Sequence, residues 1–179
     1  MWRMRSLPLS KVYQLLEPGP VVLLSTAQGG IPNLMTMSWH TMLDFEPPLI
    51  GCVVSDRDYS FAALNSTREC VICIPCEKLA KQVVGCGNTS GRQIDKFSKF
   101  HLTPLKASVV SAPLIEECFA NIECKVIDAR MVRKYNFFVL KAVKAWIEPT
   151  RRVPRTLHHM GHGKFMVAGR FIKLRSKMK

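Results

Sequence analysis

Two short polar clusters hold the residue types that bind an anion. In Ser55-Asp56-Arg57-Asp58-Tyr59-Ser60, an arginine precedes the start of a short helix that Asp58 or Ser60 can cap. Unpaired backbone N–H groups at a helix start and a neighbouring guanidinium converge there, which is the chemistry of an anion cradle. Thr89, Ser90, Gly91 and Lys96 form the second cluster. Taken alone, each cluster also reads as a polar surface turn, and Arg92 reads as solvent-exposed.

Cys70, Cys73 and Cys76 give C-x-x-C-x-x-C, a spacing that suits a redox dithiol or a metal site. Cys73 and Cys76 straddle the end of a predicted strand, however, and a redox C-x-x-C normally opens a helix. No second C-x-x-C completes a zinc tetrad, so buried structural thiols are expected, with Cys86 the thiol placed to approach a ligand. His158, His159 and His162 sit beside Gly161 and Gly163 in H-H-x-x-H. The glutamate of a zinc helix is absent and the glycines favour a loop, at a subunit interface or over the mouth of a site. Ser25, Ser98 and Ser111 lack the setting of an activated nucleophile. Glu116 and Glu117, adjacent on a predicted strand, point to opposite faces and cannot act as a dyad.

These residues need elements to hold them. Ser10 can cap a short helix with Val12, Leu15 and Leu16 inward, stopped by Pro18-Gly19-Pro20. Val21–Thr26 pairs across Gln28-Gly29-Gly30 with Asn33–Trp39, where Met35, Met37 and Trp39 alternate with Thr36, Ser38 and His40. After a Pro47-Pro48 corner, Leu49–Val54 reads as a strand buried on both sides. Ser60–Thr67 reads as a helix, Cys70–Pro75 as a strand, and Glu77–Cys86 as a helix ended by Gly85 and Gly87. Asp95–His101 reads as neither. Ile115–Asp128 is a long strand with Cys118, Ala120, Ile122, Cys124 and Val126 on one face; Phe137–Ile147 is another, and Lys164–Leu174 is the last. Many strands, few helices and no βα alternation predict a mainly β or α+β fold built on a closed antiparallel sheet.

The 179 residues suit one domain, 1–179, with an N-terminal arm (1–19), a barrel (20–150) and a basic C-terminal arm with the last strand (151–179). No apolar run approaches the ~18 residues of a membrane span. The basic N-terminus lacks a following apolar region, and seven cysteines is an odd number, so a reduced, cytoplasmic protein is expected. The net charge of +13 is concentrated: no acidic residue follows Glu148, and nine basic ones lie between Arg151 and Lys179. The other 150 residues carry 17 basic against 13 acidic groups. This reads as a solvated tail or an arm crossing a partner subunit, with attraction of anionic substrates as the alternative. No nucleic-acid motif accompanies the charge, so no nucleic-acid partner and no membrane are expected.

Asn33-Leu34-Met35-Thr36-Met37-Ser38-Trp39, Pro47-Pro48-Leu49-Ile50, Ser55–Ser60 and Thr89–Phe97 (T-S-G-R-Q-I-D-K-F) occur in that order. The ordered set resembles the flavin reductase-like family of FMN-binding split barrels, of which flavoredoxin is one, over roughly Pro20 to Arg170. The resemblance implies a six-stranded Greek-key split barrel that dimerises and binds FMN non-covalently. It places Asn33, Met35, Thr36, Ser38 and Trp39 along the flavin ring. Phosphate and ribityl contacts would come from Ser55, Arg57 and Ser60, and from Thr89, Ser90, Gly91 and Lys96. FAD is not expected, because no G-x-G-x-x-G is present for an adenine half.

The implied activity is that of an oxidoreductase, NAD(P)H to FMN to an acceptor that is a small molecule or a protein. Many nicotinamide-dependent members carry Gly-Asp-His before the penultimate long strand. Here Arg130–Asn136 has no histidine, which favours a flavoredoxin-like electron carrier. A non-enzymatic module holding an anionic partner is the alternative from another class.

Overall fold

The structure, a computed structural model, describes residues 4–16, 19–150 and 153–176. Pro18 of the helix stop, and Arg151, Arg152 and Lys177–Lys179 of the basic arm, lie outside the described residues. The chain begins with β1 (Arg5–Leu7), a 3-10 turn at Leu9–Lys11 and α1 (Tyr13–Leu16). Four strands follow: β2 (Val22–Gln28), β3 (Ile31–Met37), β4 (His40–Phe45) and β5 (Pro48–Val53). Next come α2 (Tyr59–Thr67), β6 (Glu69–Ile74), α3 (Ala80–Asn88) and α4 (Lys96–Lys99). Two short strands, β7 (Pro104–Leu105) and β8 (Leu114–Ile115), lead into β9 (Ala120–Asp128) and α5 (Val132–Tyr135). The long β10 (Phe137–Ile147) and the hairpin of β11 (Leu157–His159) and β12 (Phe165–Val167) complete it.

One antiparallel sheet dominates, in the order β3-β2-β6-β9-β10-β5-β4, with β1 as an eighth strand on β10. The first half of β10 pairs with β5 and its last three residues with β1, so two strands share that edge. Six of the predicted strands run consecutively in this sheet, from β3 at one edge to β5. The two additions are β1, from the expected N-terminal arm, and β4. Apolar side chains from β2, β5, β6, β9 and β10, among them Leu24, Ile50, Ile72, Ile122 and Phe138, meet in one cluster under α1. A sheet whose strands all supply the same core is a sheet curled on itself. The opposite face of β2 and β6 packs Leu23, Val71 and Cys73 against Leu79, Val83 and Cys86 of the α3 segment. All seven cysteines are free and buried.

Several local readings change. The strand at Asn33 ends at Met37, so Trp39 falls outside the alternation and is 71% exposed. His40–Phe45 forms an edge strand with almost no buried residue, so no alternation marked it. Ser10 sits inside the 3-10 turn and caps nothing. Asp58 is the N-cap of α2 but makes no side-chain cap bond.

α3 runs through Gly85 and Gly87, and Gly85 serves close packing. A Cβ on Gly85 would meet the Phe100 ring at 2.4 Å, whereas one on Gly87 would be in ordinary contact with Thr36 at 3.4 Å. Asp95–His101 contains α4, capped by Asp95 Oδ1, which accepts from the amides of Phe97 (2.9 Å) and Ser98 (3.4 Å). Ile115–Asp128 is broken at 116–119, which puts Cys118 in the outer core while Ala120, Ile122 and Cys124 line the inner one. Glu117 lies in that break and accepts from the Thr103 amide and hydroxyl. The last predicted strand shrinks to β12, and no regular structure is present over 168–176.

Candidate functional site

The site is built on β3. Asn33 is buried, and its Nδ2 donates to Ser60 Oγ at 2.8 Å, which ties the strand to the first turn of α2. Thr36 Oγ1 donates to the Val83 carbonyl at 2.6 Å and fixes the other side of the strand to α3. Gly91 closes the wall: a Cβ there would lie 2.1 Å from Asn33 Oδ1 and 2.6 Å from the Tyr59 ring. Only glycine lets the 89–91 loop sit this close.

All twelve predicted residues come together. Asn33, Met35, Thr36, Arg57, Ser60, Thr89, Ser90, Gly91 and Lys96 line a cavity of about 200 Å³. Ser38, Trp39 and Ser55 line an adjoining one of about 230 Å³, which shares Met35, Thr36 and Asp58 with the first. The clusters at Ser55 and Thr89 therefore form two sides of one groove. Asp58, Tyr59 and Cys86 also line the first cavity and Val53 the second; the sequence pattern did not select Asp58, Tyr59 or Val53. Arg92 is exposed, with its guanidinium 6.0 Å from the centre of the Tyr59 ring.

Lys96 dominates the electrostatics. It is 5% exposed, and its Nζ donates to the carbonyls of Leu34 and Cys86, both at 2.7 Å. An ammonium has three N–H donors, so one is left over. No carboxylate lies within ion-pair distance of it among the described residues. Burial lowers its pKa, and the charges at Cys86 and Asp58 pull it partly back. Cys86 is the converse case: burial pushes its thiol up to about 11, against the pull of Lys96.

The hydroxyls add to the donor set. Ser60 accepts from Asn33, Ser55 from the Arg57 amide (3.2 Å) and Ser90 from the Arg92 amide (3.3 Å). Each keeps its own proton to donate. The Asp58 side chain makes no cap bond, and of the first amides of α2 that of Phe61 donates to the Asp58 carbonyl (3.0 Å). A buried cation, free hydroxyl protons and a helix start on one wall make a site for anionic oxygens. The exposed Trp39 and the Met35 and Val53 side chains give the adjoining cavity an apolar surface.

The other candidates separate. Cys70 and Cys76 belong to the inner core and Cys73 to the outer one, so the odd offset divides them. Cys70 lies opposite Cys124 across β6 and β9, deep in the barrel. No group of three or more His, Cys, Asp or Glu side chains among the described residues could hold a metal. His158 is engaged with Thr156 Oγ1 (3.0 Å) and the Gly19 carbonyl (3.2 Å), and His162 lies in the β11–β12 turn. No helix of the described residues is long and apolar enough to cross a membrane.

Solved structures share this architecture. The FMN-binding domain of a flavin reductase-like enzyme from Shewanella baltica superposes with a TM-score of 0.90 at 24% identity, covering 96% of this chain and 97% of that one. Flavoredoxin of Desulfovibrio vulgaris gives 0.80 at 21% identity, covering 89% and 91%. An uncharacterized Escherichia coli protein, YddH, is 28% identical over 95% of this chain and 97% of its own. An uncharacterized protein of Archaeoglobus fulgidus is 33% identical over 60% of this chain and 61% of its own, so the match spans less than two thirds of that relative. The flavin reductase like domain profile matches residues 15–165, most of the chain and every wall of the groove described above, and the chain therefore belongs to the flavin reductase-like family.

Proposed function

We propose that the groove binds FMN non-covalently and that the protein is an oxidoreductase passing electrons through it. The observation that carries this reading is Lys96, a buried ammonium with an unused donor and, among the described residues, no carboxylate partner, lining a cavity rich in hydroxyl donors. A terminal phosphate satisfies that arrangement. Lys96, Ser60, Ser90 and Arg57 would hold it, and the Met35, Trp39 and Val53 surface would face the ring. Bound there, the flavin supplies the atoms that accept and release electrons; the chain positions it and offsets its charge. The description of the Shewanella protein as FMN-binding supports the assignment. Mass spectrometry of the ligand released on denaturation tests it: FMN is expected, and FAD as the main species would contradict it.

The flavoredoxin-like reading is favoured over an autonomous flavin reductase by Arg130–Asn136. This segment folds as the short α5 and its approach, with Arg130 on Asp128 and no histidine. Bound FMN is expected to be reduced readily by dithionite and only slowly by NADH or NADPH. Anaerobic stopped-flow bleaching decides it, and nicotinamide turnover at tens per second, in the usual enzyme range, would restore the autonomous reductase.

A homodimer is part of the same proposal. Phe165 and Val167 pack on their own core, but Phe171, Ile172 and Leu174 are 66%, 71% and 76% exposed on a segment with strand-like composition and no partner strand among the described residues. A second copy would cover them. Light scattering of the FMN-loaded protein should give twice the chain mass at micromolar concentration, and a monomer mass would count against the arrangement.

A further inference from the structure

No acidic residue occurs between Ala129 and Ile147, and that stretch opens with a basic projection that the groove does not use. Of α5 only Val132 is buried, in the inner core. Arg133, Lys134 and Tyr135 are exposed, as are Arg130 and Met131 just before them. Asp128 pairs with Arg130 at 2.6 Å, but neither Arg133 nor Lys134 has a carboxylate within ion-pair distance among the described residues. The Lys134 ammonium instead lies 5.1 Å from the centre of the Tyr135 ring. The projection is fixed in place. Asn136 caps α5 in the left-handed region (φ 54°), and its amide donates to the Val132 carbonyl at 2.8 Å. The Asn136 carbonyl accepts from the Val54 amide at 3.0 Å, and Phe137 lies opposite Val53 across β10 and β5. Val53 and Ser55 line the lobe with the apolar surface, so α5 ends beside the wall of that lobe.

Arginine, methionine and tyrosine are the side chains enriched where proteins meet, and unpaired positive charge selects a partner of the opposite sign. A second copy matches this face poorly, since its acidic residues number 13 against 26 basic ones. The homodimer proposed above uses a different, apolar segment. We propose that the α5 face docks an acidic electron-carrying protein and so brings that protein's redox centre to the edge of the flavin. The assignment rests on the reading of the groove as an FMN site through which electrons pass. Encounters between redox proteins are weak and bury less than about 1,200 Å², which suits a face built from a handful of side chains. The segment that lacks a nicotinamide-orienting histidine thereby has a role of its own.

A plant-type two-iron ferredoxin, an acidic one-electron carrier of low potential, is the probe, and a basic c-type cytochrome is its counterpart. Titrated into the full chain at low salt, with and without FMN, the ferredoxin should bind saturably and lose affinity as salt rises. The cytochrome should bind about tenfold more weakly or not at all. Reversing two charges together, Arg133→Glu with Lys134→Glu, should weaken the ferredoxin about tenfold or more and leave FMN binding unchanged. Lys78→Glu with Lys106→Glu alters the net charge equally, on exposed residues beside the outer core, and should cost less than about threefold. Stopped flow supplies the electron readout: two reduced ferredoxins each give up one electron, and water gives two protons, for every FMN reduced. The flavin band should bleach about tenfold more slowly in the α5 variant at low salt, whereas dithionite alone should bleach variant and parent equally. Equal losses in the two double variants, ferredoxin affinity unchanged by the α5 reversal, or tighter binding of duplex DNA or phosphatidylserine vesicles than of ferredoxin would overturn the proposal. A chain that binds FMN but no ferredoxin defeats this inference alone; one that binds ferredoxin through α5 but no FMN defeats the flavin reading and leaves the docking face standing.

Discussion

Lys96→Met should weaken FMN binding by about 10- to 100-fold and change riboflavin binding by less than about threefold. A hydrogen bond to a charged group is worth roughly 1.5–3 kcal/mol, and the Lys96 ammonium is nearly sealed from water, so little of that is lost to screening. Riboflavin has no phosphate and should miss the charge far less. Arg57 is the contrast. Its side chain is exposed, and an exposed ionic contact contributes about 0–1 kcal/mol, so Arg57→Ala should cost at most about fivefold. Fluorescence titration with both ligands measures this. The methionine leaves the carbonyls of Leu34 and Cys86 without their donor, so a thermal melt must accompany the titration. Equal affinity of parent and Lys96→Met for FMN, with the fold intact, would place the phosphate elsewhere.

Glu123→Ala should destabilise the protein by about 3–5 kcal/mol, the range for removing one partner of a buried charged network. The Glu123 carboxylate is fully buried on β9 and accepts from five donors. These are the amides of Ser108 (3.1 Å), Val109 (2.6 Å) and Val110 (3.2 Å), the Ser108 hydroxyl (3.1 Å) and the Trp146 indole (2.8 Å). Together with Glu69, which takes the Ser111 amide and hydroxyl, it fastens the 108–111 loop to the sheet. At ~2–4 °C per kcal/mol for a chain of this size, Tm should fall by roughly 10 °C.

Burial alone would raise the Glu123 pKa, but the Trp146, Ser108 and Val109 bonds outweigh it and hold the pKa below the ordinary 4.5. A depressed carboxylate pKa gives stability that is present above the unfolded value and is lost as pH falls through the folded one. The difference in Tm between parent and Glu123→Ala should therefore be constant above pH 5 and shrink as pH falls below 4.5. A variant that melts with the parent at pH 7 would show that the clamp contributes nothing.

The strands of the sheet were legible because their signals are local. Period-two alternation at Asn33–Met37 and continuous apolar runs at Leu49–Val54 and Cys70–Pro75 mark strands whose burial is decided by the residues themselves. The two polar clusters could be proposed as one site through the family resemblance, and their approach to each other depends on Gly91 lying against Asn33, which no periodicity reports. Gly85 misled because a glycine that ends a helix and one that admits the Phe100 ring look alike in sequence. β4 escaped because an exposed edge strand has no buried face to alternate with. Asp95-Lys96-Phe97-Ser98 held a legible N-cap, but a four-residue helix offers almost no pattern behind it. The burial of Lys96 was not legible at all, since it depends on carbonyls 62 and 10 residues away.

The central claim is that a phosphate-bearing flavin sits on Lys96 in the groove beside β3. Equilibrium titration of the ligand-free chain with FMN, riboflavin and FAD, at one ionic strength and followed by quenching of flavin fluorescence, tests it most directly. The account predicts saturation at one FMN per chain, with riboflavin at least tenfold weaker and FAD weaker than FMN. Riboflavin binding as tightly as FMN, or no saturable FMN binding, would contradict it.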